Sequence, residues 1–358
     1  MASTKKPKAL LIGGTGAMGV YLSAELAAAG WDVTITSRRE HHVEEGEIAY
    51  IRGNAREYSF LRHVLESRFD VIVDFMVWPT SEFKQVKDWM LASCRQYIYL
   101  SSYRVYAEAP VIIEDSPRLL DVCKDERYLA TDEYALAKAR QEDLLRTSKL
   151  SNWTIVRPTV TYSKKRFQLG ALEADAWVPR ALAGMKVPIV REMLERKTTM
   201  TWGGDVAHMI ARLCANERAL GEDFNVCTSE SSSWNSVAKI YMSYLPFEFE
   251  YVDQPCYERA VNAPYQVRYD RMFNRVMRNE KVLRAVGMQQ SDLMPLGRGL
   301  GSEFMRFLDS PSFNSFSSRV QGRLDASVGT LQMPWSHQKQ FRCSLPSYAK
   351  YLYGWLVG

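Results

Sequence analysis

The chain is predicted to be an α/β protein, a doubly wound parallel sheet with a smaller mixed α/β unit attached. Three observations predict it. A short apolar run, Ala9-Leu10-Leu11-Ile12, meets glycines at 13, 14, 16 and 19 and passes at once into a helical pattern. Further apolar runs then alternate with helical segments roughly every 20–30 residues, the rhythm of right-handed βαβ units. The length of 358 residues, 46% of them hydrophobic, is enough for a large core and for two or three domains.

The elements follow in order. Lys8 to Ile12 is a buried strand. Gly13 turns the chain off it, Gly16 lets backbone come close to a pyrophosphate, and Gly19 lets the next helix pack on the strand. Thr15, Ala17 and Met18 fill the same turn, whose N–H groups and helix dipole favour a phosphate. The helix from Ala17 to Ala29 is closed by Gly30. Asp32 to Thr36 is the second strand and Glu47 to Ile51 a weaker third. Arg56 to Ser67 has helical periodicity. Asp70 to Phe75 is a continuous apolar strand, Ser81 to Ser93 a helix, and Tyr97 to Leu100 another strand. A helix starts at Glu133 and runs to about Lys149, and the strand after it is stopped by Pro158. Regular alternation then fades. Gly203-Gly204-Asp205 reads as a turn into a helix with Asp205 as N-cap. Phe224 to Cys227 reads as a short strand, Ser233 to Leu245 as a helix, and Ser347 to Trp355 as a terminal helix. Residues 1–160 are assigned to the dinucleotide-binding unit, with a strand and helix returning to it from about 198–228. Residues 161–358 are assigned mainly to substrate binding and a C-terminal extension.

Bulk properties remove several classes. The net charge of +5 is spread without long basic runs, so no nucleic-acid partner is expected. No apolar run reaches the roughly 18 residues of a membrane span. Lys5-Lys6-Pro7-Lys8 reads as a solvated tail. The six cysteines are scattered without a C-x-x-C, as in a reduced, cytoplasmic protein. The five histidines show no metal spacing, and His41-His42 sits among charges.

Four stretches carry chemistry. After the second strand, a carboxylate would bond the ribose of NAD and an arginine would accept the extra phosphate of NADP. Here the strand ends Thr36-Ser37-Arg38-Arg39, which favours NADP over NAD; the competing reading is a solvated turn. Ser101-Ser102 ends a strand where open α/β sheets bind ligands. Tyr134 and Lys138 are four apart and share a helix face. An ammonium beside a phenol favours the phenolate, and such a phenol exchanges a proton with an alcohol oxygen near neutral pH. Of the 19 tyrosines only Tyr134 has a lysine four positions on. Two basic clusters, Lys164-Lys165-Arg166 and Arg191, Arg196, Lys197, suit either a diphosphate or a solvated loop.

Together, Gly13-x-x-Gly16-x-x-Gly19, Ser101-Ser102-x-x-Val105-Tyr106, Tyr134-x-x-x-Lys138 and Val156-Arg157-Pro158 resemble the extended short-chain dehydrogenase/reductases, specifically the epimerase/dehydratase family acting on nucleotide sugars. The resemblance extends to about residue 245. It implies Ser102, Tyr134 and Lys138 as the catalytic set, with Lys138 also holding the nicotinamide ribose. Tyr134 would handle the proton while hydride passes between nicotinamide and a sugar carbon. Pro158 would line the cofactor site. Relatives commonly form homodimers through a bundle that includes the Tyr134 helix.

Several departures narrow this. Tyr103-Arg104 stands where sugar dehydratases carry Asp-Glu and where decarboxylases place a glutamate. Gly53-Asn54 replaces the acid that contacts adenine, leaving Asn54 for that contact. Val160 replaces an asparagine after Arg-Pro, and Phe75-Met76-Val77-Trp78 replaces His-x-Ala-Ala. What remains is an epimerase or ketoreductase of a nucleotide sugar. The rivals are a non-catalytic dinucleotide- or RNA-binding protein on the same scaffold and a reductase of a non-nucleotide carbonyl compound.

Overall fold

The computed structural model describes residues 6–41, 48–313, 315–332 and 344–358. Lys5, His42 and Glu47, named above, and the sixth cysteine, Cys343, lie outside them. The five described cysteines are free thiols. No helix among the described residues is long and apolar enough to cross a membrane.

The first half forms β1 (Lys8–Ile12), α1 (Gly19–Ala28), β2 (Asp32–Ser37), β3 (Ile48–Arg52), α2 (Tyr58–Leu65), β4 (Phe69–Asp74), α3 (Thr80–Ala92) and β5 (Cys94–Leu100). Two short helices, α4 (Leu119–Val122) and α5 (Glu126–Leu129), precede α6 (Tyr134–Arg146) and β6 (Trp153–Val156). A later strand, Glu222–Phe224, adds to β6, and the sheet order is Glu222–Phe224, β6, β5, β4, β1, β2, β3. Every pairing in it is parallel. β1 lies between β2 and β4, so the strand order reverses beside it. A crevice opens there at the carboxyl ends of the strands, where this class of sheet binds ligands.

The apolar runs are continuous because both faces of the sheet are covered. Ala9, Leu11, Val71 and Val73 enter one core with Leu22 and Leu26 of α1 and with Val206 and Ile210 of the helix Gly203–Leu213. Leu10, Ile12 and Ile72, one residue out of phase, enter the opposite core with Leu61, Phe83 and Met90. A third core, around Trp177, Tyr241 and Phe304, holds the later segments together.

Two details differ from the sequence reading. Asp205 is not an N-cap. The helix starts at Gly203 directly out of the strand Met200–Trp202, and the Asp205 carboxylate accepts instead from Met294 N at 2.8 Å. The short strand is Glu222–Phe224 rather than 224–227, because Asn225 N is already bonded to the Glu114 carboxylate. The terminal helix runs Leu345–Val357.

Candidate active site

The glycine loop is built as its spacing requires. Gly13 has φ +71°, a conformation that L side chains avoid. A Cβ on Gly19 would overlap the Gly14 carbonyl, whereas one on Gly16 would meet nothing within 4 Å. α1 begins with Met18 at its N-cap and no side-chain cap; Val20 N and Tyr21 N already donate to the carbonyls of Gly16 and Met18, so a phosphate would meet the N–H groups of the loop just before them. A cleft of about 1030 Å³ runs from this loop past Ser37, Arg38, Arg39 and Asn54 to Met76 and Val77. Arg38 and Arg39 are exposed at its edge. Ser37 Oγ lies 2.9 Å from His41 Nε2 and accepts from Arg39 N, fixing the turn that carries them. Asn54 Oδ1 accepts from Arg56 N, and Arg56 reaches across to the Val77 carbonyl at 2.5 Å.

A second cavity of about 370 Å³ continues from Met76 and Val77 and is lined by Ser102, Tyr134, Lys138, Pro158 and Val160. Three elements converge there. β5 ends at Leu100, and the next two serines divide their work. Ser101 Oγ donates inward to Glu142 at 2.5 Å, while Ser102 Oγ caps the turn at Arg104 N, 3.2 Å away. Tyr134 is the first residue of α6, whose N-cap Glu133 accepts from Ala135 N at 2.8 Å. One helical turn on, the Lys138 Nζ donates to the carbonyls of Leu100 at 2.6 Å and Met76 at 3.3 Å. It lies 5.9 Å from the centre of the Tyr134 ring. The ammonium therefore stands near the Tyr134 ring without bonding its hydroxyl, its hydrogen bonds going to the two backbone carbonyls. Burial draws the Lys138 pKa down to about 8, against the opposing pull of Asp74 and Glu142.

On the opposite wall, Arg104 lies 5.1 Å from the Tyr134 ring centre and donates to Glu133 at 2.5 Å. It also faces Asp270 at 3.5 Å. Burial raises the Asp270 pKa, but Arg271, Arg275 and Arg104 outweigh it and hold that carboxyl below the usual range. Tyr103 donates to the same carboxylate at 3.0 Å. Asp270, Arg271 and Arg275 come from a segment in which the sequence shows no motif. Their only signal is three charges within six residues.

The Val-Arg-Pro motif turns out to be a support. Arg157 is buried and donates twice to Glu142, at 2.8 Å each, and once to Tyr106 Oη at 2.6 Å. Asp223 stands 2.7 Å away. Tyr106 in turn donates to Asn225 at 2.8 Å. Of the two basic clusters, Lys164, Lys165 and Arg166 border the site. Arg191 instead covers the Tyr251 ring at 3.8 Å, and Lys197 pairs in the strand Lys197–Thr198 away from it.

Residues 13–181 match the NAD(P)H-binding family model. This segment is an NAD(P)-binding domain. The epimerase Mth375 of Methanothermobacter thermautotrophicus superposes on the chain with a TM-score of 0.66 at 16% identity, covering 85% of this chain and 93% of that one. The UDP-glucuronic acid 4-epimerase of Bacillus cereus, in complex with UDP-glucuronic acid and NAD, gives a TM-score of 0.63 at 14% identity, covering 84% and 99%. The fold is that of these epimerase structures. A curated relative, the chloroplast stem-loop binding protein of 41 kDa b from Arabidopsis thaliana, is 24% identical over 67% of this chain. The chain spans 63% of the length of that relative.

The NAD(P)-binding domain fits its ligand on its own geometry. The open space at Gly16 and the uncapped start of α1 suit a pyrophosphate, and the shared wall of Met76 and Val77 leads from that loop to Tyr134.

Proposed function

We propose that the chain is an NAD(P)-dependent oxidoreductase that acts on a nucleotide-activated sugar at a secondary alcohol or keto carbon, as an epimerase or a ketoreductase. The observation that carries this is the placement of Ser102, Tyr134 and Lys138 on one cavity that opens onto the glycine-loop cleft. The bound dinucleotide would supply hydride chemistry at its nicotinamide. Tyr134 would give or take the proton of the substrate oxygen, and Ser102 would hydrogen-bond the same oxygen. Lys138, anchored on two carbonyls, would present its charge to the phenol and to a ribose hydroxyl. Tyr103-Arg104 beside Ser102 leaves no carboxylate there for eliminating water, which favours a pure redox reaction over dehydration.

A third cavity of about 910 Å³ supports the nucleotide half of the substrate. It shares Arg166 and Glu173 with the catalytic cavity and is lined by Lys164, Arg306 and the rings of Tyr21 and Trp202. Cations and aromatic faces suit a nucleoside diphosphate. The exposed arginines after β2 favour NADPH and hence reduction.

The test is to denature the purified protein, identify any dinucleotide released, and titrate NAD, NADH, NADP and NADPH by thermal shift. Retained NAD favours an epimerase that recycles its own hydride. Exchangeable NADPH favours a ketoreductase, to be screened on keto-sugar nucleotides. Failure of every dinucleotide to bind overturns the reading. The stem-loop binding relative supports a second reading, a scaffold that binds RNA without turnover. Tight NADPH binding with no turnover, together with RNA retention competed by NADPH, would favour it.

A further inference from the structure

Lys165 is distant from the glycine loop in sequence but lies over it in space. Its Nζ donates to the Thr15 carbonyl at 3.0 Å, 150 positions upstream. With Thr15 and Arg39 it lines both the 1030 Å³ cleft and the 910 Å³ cavity, so it stands on the ridge between them.

The turn that carries it is closed at both ends. Ser163 N donates to Arg166 O at 3.1 Å, Arg166 N returns to Ser163 O at 2.9 Å, and Ser163 Oγ accepts from Lys165 N at 3.2 Å. Ser163 is fully buried, and Arg166 is tied to Glu173 at 2.9 Å. Gly203 packs where a Cβ would lie 2.8 Å from Ala17 O and 3.4 Å from the Ser163 Cβ, which clips this turn to the glycine loop. The base is therefore fixed and the lysine tips are exposed.

Among the described residues no carboxylate pairs with Lys164 or Lys165, whereas their neighbour Arg166 has Glu173. Partial burial and the adjacent Lys164 both draw the Lys165 pKa down. Two adjacent cations without an acid, one of them held against the glycine loop at the Thr15 carbonyl, are stabilised by an anion beside them.

We propose that Lys165 is a clasp for the pyrophosphate of the bound dinucleotide, leaving the Thr15 carbonyl to close over the glycine loop. This rests on the dinucleotide reading of that loop. The clasp comes from the substrate side of the chain, so the cofactor is gripped from both sides of the crevice.

The experiment is calorimetric titration of the full chain and of Lys165→Met and Lys165→Arg with three probes. ADP-ribose carries the pyrophosphate, adenosine lacks it, and UDP reports the neighbouring cavity. Lys165→Met should weaken ADP-ribose about tenfold, as expected for one charge-assisted bond at a partly exposed site. Adenosine and UDP should stay within about twofold, and Lys165→Arg should recover most of the loss. Unchanged ADP-ribose affinity overturns the clasp. So does a loss shared equally by adenosine, which would mark a merely structural lysine, or a loss confined to UDP. Absence of ADP-ribose binding to the unaltered chain would overturn the dinucleotide reading itself.

Discussion

The Lys138 ammonium stands 5.9 Å from the centre of the Tyr134 ring while donating to the Leu100 carbonyl at 2.6 Å. The lysine is fixed by the end of β5 and makes no bond to the hydroxyl of Tyr134, the acid/base proposed above. Tyr134→Phe should therefore remove proton transfer alone. Turnover should fall by about 10²–10⁴-fold, the usual worth of a positioned acid/base. Dinucleotide affinity, measured by thermal shift, should stay close to that of the parent. Loss of both together would place Tyr134 in binding rather than in chemistry.

Lys138 also makes stability depend on pH. Its folded pKa of about 8 lies below its ordinary 10.5. Between these values the folded state holds fewer protons than the unfolded one, so stability gains as pH rises through that window. Below about pH 8 the buried ammonium costs the fold about 3 kcal/mol, at 1.36 kcal/mol per unit. Lys138→Met should accordingly be no less stable than the parent at pH 7, with the gap closing towards pH 10. It should also abolish turnover. Denaturation of both proteins across pH 7 to 10 checks this. A variant that is strongly destabilised at pH 7 would show that the hydrogen bonds to Leu100 and Met76 outweigh desolvation.

Arg38 and Arg39 are exposed at the mouth of the cofactor cleft, where an added phosphate on the adenosine ribose would lie. A guanidinium–phosphate bond is worth about 1.5–3 kcal/mol. Arg38→Ala combined with Arg39→Ala should weaken NADPH by about tenfold or more and leave NADH nearly unchanged. Equal losses for both, or none for either, would assign these arginines to a solvated turn.

Glu142 and Arg157 form the buried ion pair behind the site, with Ser101, Tyr106 and Asp223 around it. Glu142→Gln leaves Arg157 short of a charge, and breaking such a pair costs about 3–5 kcal/mol. Asp223 remains in place, so the lower figure is expected. Replacing both partners, as Glu142→Gln with Arg157→Met, should restore part of the loss, because an apolar core needs no counter-charge. Thermal unfolding of the two variants distinguishes an ion pair from simple packing. If the double variant is the worse of the two, the pair is not the unit that stabilises β6 against α6.

The glycine loop and the parallel strands were legible as local patterns; Tyr134 and Lys138 were paired by helical spacing, Ser102 joined them only through the resemblance, and the three line one cavity. Ser102 was the candidate serine, and its neighbour Ser101 is taken up by the buried Glu142. Arg157 is a motif residue whose role as an internal cation depends on Glu142 and Asp223, 15 and 66 positions away. The Asp270, Arg271 and Arg275 cluster opposite Tyr134 was not legible. It exists only once residues near 104 and 270 are folded against one another. Asp205 resembled an N-cap because Gly-Gly usually breaks a chain, yet here a strand passes straight into the helix.

The expected homodimer through the Tyr134 helix meets an obstacle in the surface of α6. Ala135 and Leu136 are already covered by Leu119 and Tyr128 of the same chain. Arg140 donates to the carbonyls of Thr131 and Leu129, at 2.6 Å each, and Arg118 holds Asp143 at 2.8 Å. What α6 offers outward is a polar face whose charges have partners in cis. A stable interface buries about 1,200–2,000 Å² with an apolar centre, and desolvating paired charges works against it. Sedimentation at micromolar concentration is expected to give a monomer, or a dimer indifferent to Leu144→Arg on the half-buried edge of α6. A dimer that this substitution splits would restore α6 as the interface and require Arg140 and Asp143 to exchange their partners on association.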